Sequence, residues 1–193
     1  MIPKILIIPG SNRGGSYNAQ LAASAHKVFA SLDCDATRIS LRDYPLPIYD
    51  GDLEAQKGAP ENAVKLVRLL QAHDGVFLVS PEYNASLTPL LKNALDWMSL
   101  TTKDGTEAIS AYKTTIFALA AASPGGLGGI RGLSHLRDIL TSIGATVIAS
   151  QVGVGNADTA FDDMDQLRDE RARGLLQATC QSLVDSARLL SIR

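Results

Sequence analysis

A glycine-rich segment near the N-terminus has the composition of a phosphate-binding loop. Gly10-Ser-Asn-Arg-Gly-Gly-Ser-Tyr-Asn18, called loop 1 below, joins an apolar run to a segment with helical periodicity. Glycines let the backbone turn tightly, and the free N–H groups at a helix start attract an anion. Ser11, Ser16 and Asn18 add neutral donors. Arg13 adds a charged fork that suits a phosphate monoester, so we predict that loop 1 binds the phosphate of a ligand.

Loop 1 differs from two better-known phosphate loops. It lacks the Lys-Ser/Thr ending of nucleoside-triphosphate loops, and its glycines do not follow the G-x-G-x-x-G spacing of dinucleotide folds. The alternative interpretation is an ordinary strand-to-helix turn in which Ser16 is the N-cap. The cluster of small and polar residues around one arginine favours the phosphate interpretation.

A second unusual segment, called loop 2 (Pro81–Ser86), begins with Pro81-Glu-Tyr-Asn84 after a strongly apolar run. A proline just past a strand stiffens the backbone without needing a partner in the sheet. Backbone polar groups held in this way could bind the polar edge of a flat heterocycle, with Tyr83 as an aromatic wall. The alternative is a turn in which Tyr83 packs in the core and Glu82 is solvated. These four residues alone favour neither interpretation.

A third segment, Ser123-Pro-Gly-Gly-Leu-Gly-Gly129, is called loop 3. Its glycines would allow a ligand to approach the backbone closely. A flexible linker of no chemical interest has the same composition, and loop 3 taken alone favours the linker.

The rest of the chain predicts the sheet that would bring these loops together. Apolar runs bounded by turn residues alternate with helical segments, which is typical of a parallel sheet covered on both faces. The predicted strands are Lys4–Pro9, Ala36–Leu41 (an edge strand), Gly75–Ser80, Thr114–Ala121 and Ala145–Ser150. The predicted helices begin near Asn18 and Pro60 or span Thr88–Met98, Ile130–Ile143 and Met164–Leu190.

A doubly wound sheet binds ligands beyond the carboxyl ends of its strands. Loops 1, 2 and 3 each leave such an end. If the strand order is 2-1-3-4-5, the three loops are neighbours. The three segments of unusual composition then form a single site.

Bulk composition excludes several classes of function. Hydrophobic residues make up 46% of the 193 residues and charged residues 20%, which is ordinary for one globular domain. The net charge of −2 gives no global attraction to nucleic acid or to a membrane surface. No apolar stretch approaches the roughly 20 residues that span a bilayer. Cys34 and Cys180 are predicted to be reduced thiols, so we expect a soluble, cytoplasmic protein.

No residue pattern predicts a catalytic side chain or a metal ligand set. No serine lies in a G-x-S-x-G turn, and no Asp, Glu or His cluster has metal-ligand spacing. His26, His73 and His135 fall on predicted helices. A phosphate cradle and a flat-ring pocket without a nucleophile or metal indicate a redox cofactor that carries the chemistry itself.

Three motifs together resemble the NADPH-dependent FMN reductase family, which includes bacterial quinone, azo-dye and chromate reductases. They are Gly10-Ser11-x-Arg13-x-x-Ser16-x-Asn18, Pro81-Glu82-Tyr83-Asn84-x-Ser86 and Leu91-Lys92-Asn93-Ala94-x-Asp96-Trp97. The resemblance runs from Ile5 to about Gly153.

The resemblance implies that residues 1–193 form a single flavodoxin-like FMN-binding domain, an α/β fold with strand order 2-1-3-4-5. FMN would be bound noncovalently, and flavin N5 rather than a side chain would carry the chemistry. The expected cofactor-binding residues are Ser11, Arg13, Ser16, Tyr17, Asn18, Pro81, Glu82, Tyr83, Asn84, Ser123, Gly125 and Gly126. A homodimer or homotetramer is expected, with Lys92–Trp97 as a candidate subunit contact. Trp97 is equally compatible with a place in the core.

The expected activity is ping-pong transfer of hydride from NAD(P)H through the flavin to a quinone or a similar small acceptor, such as an azo dye, chromate or free flavin. The first alternative is an electron carrier of the flavodoxin type. The Thr/Ser-x-Thr-Gly-x-Thr pattern usual in flavodoxin phosphate loops is absent here. A regulatory module without turnover is the second alternative, and the intact motifs disfavour it. The motifs identify no fork for the 2′-phosphate that separates NADPH from NADH.

Overall fold

The central feature of the fold is a parallel sheet of five strands. The computed structural model describes residues 2–110, 112 and 114–190; the other residues of the predicted domain lie outside the described ones. Parallel pairing joins neighbouring strands throughout the sheet, in the order β2-β1-β3-β6-β7. The strands are β1 (Lys4–Pro9), β2 (Asp35–Arg38), β3 (Gly75–Val79), β6 (Ile116–Ala122) and β7 (Thr146–Val154). Counted within this sheet alone, the order is 2-1-3-4-5, which confirms the predicted topology.

The described residues contain six α-helices. They are α1 (Tyr17–Phe29), α2 (Gly51–Lys57), α3 (Glu61–Gln71), α4 (Pro89–Leu100), α5 (Ile130–Ser142) and α6 (Glu170–Leu190). Five of them, all except α2, bury side chains against the two faces of the sheet. One core contains buried side chains of α1 and α6, including Phe29 and Leu183. The other contains buried side chains of α3, α4 and α5, including Leu66, Leu91 and Leu133. Because both faces are covered, β3 and β6 are buried at every position, and their sequences are unbroken apolar runs.

The edges of the sheet differ from its centre. Strand β2 is the predicted edge strand, but it is shorter than expected, because Leu41 belongs to a 3₁₀ turn at Leu41–Asp43. The Ser40 hydroxyl accepts a hydrogen bond from the Arg42 N–H at 3.2 Å and fixes this turn. At the other edge, β7 runs on to Val154 rather than ending at Ser150.

The predicted start of the last helix was wrong. Helix α6 begins at Glu170, not at Met164. Before it, the Asp162 carboxylate accepts hydrogen bonds from the N–H groups of Met164 and Gln166 at 2.9 and 2.8 Å. This local turn outcompetes the helix, as short polar side chains commonly do. The predicted start of a helix near Pro60 is confirmed, since α3 begins at Glu61, although Pro60 is its N-cap rather than a residue of its first turn.

Three elements were not predicted. Helix α2 begins inside a segment rich in turn residues, because the Asp50 carboxylate caps it by accepting from Asp52 and Leu53. Strands β4 (Lys103–Asp104) and β5 (Glu107–Ala108) form a small hairpin. The Arg68 guanidinium of α3 pairs with carboxylates of both hairpin strands.

Candidate active site

The three loops singled out in the sequence leave adjacent strands at one edge of the sheet. Loop 1 follows β1, loop 2 follows β3 and loop 3 follows β6, and these strands are consecutive in the sheet. The prediction that the loops are neighbours is therefore confirmed. Their position beyond the carboxyl ends of parallel strands is the usual place for a ligand in this class of fold.

The start of helix α1 in loop 1 has polar groups without partners. Ser16 is in the N-cap position, but its side chain accepts no hydrogen bond from the first turn. Among the described residues, the N–H groups of Tyr17 and Asn18 donate to no oxygen. The first turn also carries no acidic side chain. A helix start in this state suits an anion, so the interpretation of Ser16 as a simple capping residue is not what the structure favours.

Arg13 lies in loop 1 without a carboxylate partner among the described residues. Its guanidinium lies over the Tyr17 ring, 5.5 Å from the ring centre, and Nη2 is 3.4 Å from the Gly15 carbonyl oxygen. The Arg13 N–H donates to the Ser11 hydroxyl at 3.3 Å. The guanidinium is thus held near the helix start by weak contacts, where it can turn towards a phosphate.

Asn18 is buried and links loop 1 to β6. Its Nδ2 donates to the Ala122 carbonyl oxygen at 2.8 Å, and its Oδ1 accepts from the Ala122 N–H at 2.9 Å. One hydrogen of Nδ2 and one lone pair of Oδ1 are therefore engaged in the protein. The side chain fixes loop 1 against the strand from which loop 3 departs.

Loop 2 contains a tight hairpin turn. The N–H and carbonyl groups of Tyr83 and Ser86 pair in both directions, at 2.9 and 3.0 Å. Asn84 and Ala85 between them have φ of 49° and 63°, which is the geometry of a type I′ turn. The Tyr83 side chain is not part of the core, because the residue is 51% exposed. The alternative in which Tyr83 packs inside the protein is wrong.

The Glu82 carboxylate connects loop 2 to the start of α5. It accepts hydrogen bonds from Arg131 Nε at 2.9 Å and from the Gly132 N–H at 3.1 Å. Burial by itself raises the pKa of Glu82, but the hydrogen bonds from Gly132 and Arg131 outweigh it, so the pKa lies below its ordinary value. Only 7% of this side chain is exposed, so the alternative of a solvated Glu82 is wrong.

Loop 3 packs against the end of β7 and is not a flexible segment. A Cβ at Gly128 (φ +63°) would lie 2.8 Å from the carbonyl carbon of Gly153, and one at Gly155 would lie 2.7 Å from the Gly126 oxygen. The Ser123 N–H donates to the Val154 carbonyl at 2.9 Å. These contacts with the end of β7 exclude the flexible-linker interpretation. Gly126 has no neighbour where a Cβ would stand, so the open part of the loop is its tip.

The sequence did not predict two hydrogen bonds of the Thr88 hydroxyl that position loop 1. The Thr88 hydroxyl donates to the Gly10 carbonyl at 2.9 Å and also accepts from the Leu91 N–H, so it fixes loop 1 to the start of α4. Its place just before Pro89, a usual first residue of a helix, was the available signal. The sequence around Thr88 does not indicate the contact with Gly10, because the two residues are 78 positions apart in the chain.

Trp97 is a core residue. It has no exposed surface, its Nε1 donates to the Pro47 carbonyl at 2.8 Å, and its ring meets Tyr49 edge to face at 5.0 Å. Asn93 Nδ2 donates to the same carbonyl at 2.9 Å. Trp97 therefore holds the segment before α2 and is unavailable as a subunit contact, which corrects that part of the predicted Lys92–Trp97 interface.

Sequence comparison decides the family. The model of the NADPH-dependent FMN reductase family matches residues 3–159. The chain belongs to this family. It is 32% identical over 182 residues to an NAD(P)H-dependent FMN reductase of Pseudomonas aeruginosa, covering 93% of this chain and 92% of the relative. A quinone reductase of Escherichia coli is 34% identical over 146 residues, which are 75% of this chain and 73% of the relative.

A solved structure agrees with this assignment. The flavoenzyme NAD(P)H:(acceptor) oxidoreductase FerB of Paracoccus denitrificans matches with a TM-score of 0.79 and 25% identity, over 97% of this chain and 98% of that one. As a member of the FMN reductase family, the chain is an oxidoreductase with FMN as cofactor and NAD(P)H as electron donor. The start of α1, with N–H groups that have no acceptor among the described residues, is chemically suited to the phosphate of FMN, and the exposed Tyr83 ring is suited to a flat heterocycle.

Other kinds of site have less support. Over residues 2–110, 112 and 114–190, no three His, Cys, Asp or Glu side chains cluster as metal ligands would. No helix in that part of the chain is both long and apolar enough to cross a membrane. Cys34 and Cys180 are free thiols.

Proposed function

We propose that this FMN reductase family member reduces quinones, or similarly small and flat acceptors, with electrons from NAD(P)H by a ping-pong mechanism. The observation that carries the proposal is the start of α1, where, among the described residues, the Tyr17 and Asn18 N–H groups have no acceptor and the nearby Arg13 has no carboxylate partner. A phosphate bound there would satisfy these groups. The exposed Tyr83 belongs to loop 2, which leaves the strand next to that of loop 1, and it then marks the place of the flat ring.

Each loop has a separate part in this proposal. Loop 1 holds the phosphate with Ser11, Arg13, Ser16, Tyr17 and Asn18. Loop 2 contacts the ring through Pro81, Glu82, Tyr83 and Asn84, and loop 3 closes the site with Ser123, Gly125 and Gly126. Asn18 contributes through its bridge to Ala122 and through the remaining hydrogen of Nδ2. The Glu82 carboxylate contributes by fixing loop 2 to α5.

When bound, FMN supplies the hydride acceptor and electron donor for both half-reactions. The protein's part is to position the ring and to stabilise charge on its polar edge. The N–H groups of Asn84 and Ala85 have no acceptor among the described residues, and they are suitable donors for that purpose. Glu82 is ionised at neutral pH because its pKa is lowered, so it is not a proton donor. Protons therefore come from solvent.

An open surface supports the ping-pong order. The tip of loop 3 is exposed, with Leu127 62% and Tyr83 of loop 2 51% accessible to solvent. NAD(P)H and a flat acceptor would occupy the same surface in turn. The flavodoxin-type electron carrier is not favoured, because the matching family and relatives are reductases.

We also propose a homodimer or homotetramer of single-domain chains that works in the cytoplasm. Two exposed apolar side chains in and directly after loop 3, Leu127 and Ile130, are suited to cover by a second subunit. Unpaired Cys34 and Cys180 fit a reducing compartment.

The first experiment is the visible spectrum of the purified protein, followed by identification of the flavin released on denaturation. The proposal requires FMN, or stoichiometric uptake of added FMN. Stopped-flow mixing with NAD(P)H in the absence of acceptor should then bleach the flavin, and a quinone added afterwards should restore the colour. A flavin-loaded protein that does not bleach would contradict the ping-pong scheme.

A further inference from the structure

A cavity of about 460 Å³ lies between loop 1 and the end of β2. Three arginines line it, Arg13, Arg38 and Arg42, against one carboxylate, Asp43. The charged lining thus has a net charge of +2. Ser11, Asn12 and Ser40 add neutral polar groups. This is a concentration of positive charge in a protein whose net charge is −2.

The arginines are placed by different elements and are not neutralised elsewhere. Arg38 is the last residue of β2, in register with Ile7 of β1. Arg42 lies in the 3₁₀ turn that Ser40 fixes, and its guanidinium donates to the Asn12 carbonyl oxygen. Within the described residues, none of the three arginines forms an ion pair with a carboxylate. Unpaired guanidinium groups that converge on a cavity are well suited to a phosphate.

A second observation at this cavity also points to a ligand. The Asn12 side-chain oxygen is buried and accepts no hydrogen bond from the part of the chain that the structure describes. A buried acceptor without a donor is energetically unfavourable and calls for an explanation. Because Asn12 also lines the cavity, a hydroxyl of a ligand bound there is a candidate donor to this oxygen. Arginines and a nearby acceptor together suit a phosphorylated sugar.

The cavity differs from the place assigned to the FMN phosphate. Ser11 and Arg13 line it, but Ser16, Tyr17 and Asn18 at the start of α1 do not. It lies on the β2 side of loop 1, whereas loops 2 and 3 follow strands on the other side. Strand β2 is two strands from β3, roughly 10 Å across the sheet. An extended dinucleotide whose nicotinamide lies against loop 2 spans that distance.

We propose that this cavity binds the 2′-phosphate of NADPH and the ribose that carries it, so that the enzyme prefers NADPH to NADH. The inference rests on the proposed function, because it assumes that a nicotinamide dinucleotide is the electron donor at loop 2. In other nucleotide-binding sheets an arginine near the end of the second strand likewise accommodates this phosphate. Arg38 and Arg42 are the specificity-determining residues, since they belong to the cavity and not to the FMN loop.

The test uses FMN-loaded protein and titrates adenosine 2′,5′-bisphosphate and 5′-AMP by calorimetry. We expect the bisphosphate to bind at least about tenfold more tightly, and Arg38→Ala to remove most of that difference. Arg38 is exposed on an edge strand, and Arg38→Gln, which keeps most of the side chain, checks that a loss is not due to unfolding. Arg173→Ala, which removes an exposed arginine of α6, is the matched control.

Steady-state kinetics give the second readout. The ratio of kcat/KM for NADPH to that for NADH should fall roughly tenfold in Arg38→Ala and stay unchanged in Arg173→Ala. Equal binding of the two adenosine ligands by the unmodified protein would overturn the inference. So would release of FMN by the bisphosphate, because the cavity would then be the FMN phosphate site. If neither dinucleotide bleaches the flavin, the proposed function fails, and the calorimetry still decides whether the cavity recognises a 2′-phosphate.

Discussion

The side-chain amide of Asn18 forms two hydrogen bonds with the backbone of Ala122, a residue 104 positions further along the chain. This buried pair connects the helix that begins in loop 1 with the strand that ends at loop 3. The geometry of loop 1 is therefore coupled to that of loop 3. Loss of the pair should disturb both the fold and the binding of FMN.

Asn18→Ala is expected to destabilise the protein. It leaves the N–H and the carbonyl of Ala122 without their partner, at a cost of roughly 1–3 kcal/mol for each buried group. Urea unfolding of the apoprotein measures the change in the free energy of unfolding, and a flavin titration measures the accompanying loss of FMN affinity. Asn62→Ala is a suitable control, since its amide makes one exposed hydrogen bond to the Pro45 carbonyl. Equal stability of the two variants would contradict the structural role of Asn18.

Arg13→Ala is expected to weaken FMN binding without a large change in stability. The guanidinium makes only weak contacts within the protein, so its removal costs the fold little. A charge-assisted bond to phosphate is worth roughly 1.5–3 kcal/mol, which corresponds to about tenfold or more in the dissociation constant. The dissociation constant is measured by the quenching of FMN fluorescence on titration with the apoprotein. Arg173→Ala serves as the control. Unchanged affinity would refute the assignment of loop 1 to the phosphate.

The sheet and the clustering of the three loops could be predicted because their signals are local. Strands buried on both faces, such as β3, are unbroken apolar runs, and parallel topology then brings their following loops to one edge. The order 2-1-3-4-5 needed the family resemblance as well. Element ends were less predictable, as at Asp162, where a side-chain turn displaces the first residues of the expected α6.

The contacts that make the site rigid could not be predicted in the same way. Glu82 meets Arg131 49 positions later, and Thr88 meets Gly10 78 positions earlier. Such pairs depend on tertiary packing and leave no periodic pattern in the sequence. The same holds for the arginine-lined cavity, because Arg13 is brought beside Arg38 only when β2 pairs with β1.

Glu82→Gln is expected to lower stability in a pH-dependent manner. The pKa of Glu82 lies below its ordinary value of 4.5 in the folded protein, so the ionised carboxylate stabilises the fold above about that pH. This contribution is lost as the pH falls through the lower folded pKa. The difference in unfolding free energy between the unmodified protein and the variant should therefore be constant at neutral pH and shrink below pH 4.5.

Chemical denaturation over a series of pH values measures this dependence on Glu82. Glu61→Gln is the control: its carboxylate also has a lowered pKa, through Lys65, but this ion pair is exposed and should contribute much less. If the difference in unfolding free energy between the unmodified protein and Glu82→Gln does not shrink in acid, packing rather than charge explains how Glu82 stabilises its contact with α5.

Gly128→Ala is expected to destabilise loop 3 far more than Gly126→Ala. At Gly128 the backbone has φ of +63°, and a Cβ would stand 2.8 Å from Gly153 and 2.9 Å from Gly155, both backbone atoms that cannot yield easily. The left-handed conformation alone costs a non-glycine residue roughly 1–2 kcal/mol, and the clash adds to it. At Gly126 no atom lies within 4 Å of the added carbon, so thermal unfolding of that variant should resemble that of the unmodified protein. If both variants unfold at the same temperature, loop 3 is not packed against β7, and its proposed part in closing the flavin site loses its structural basis.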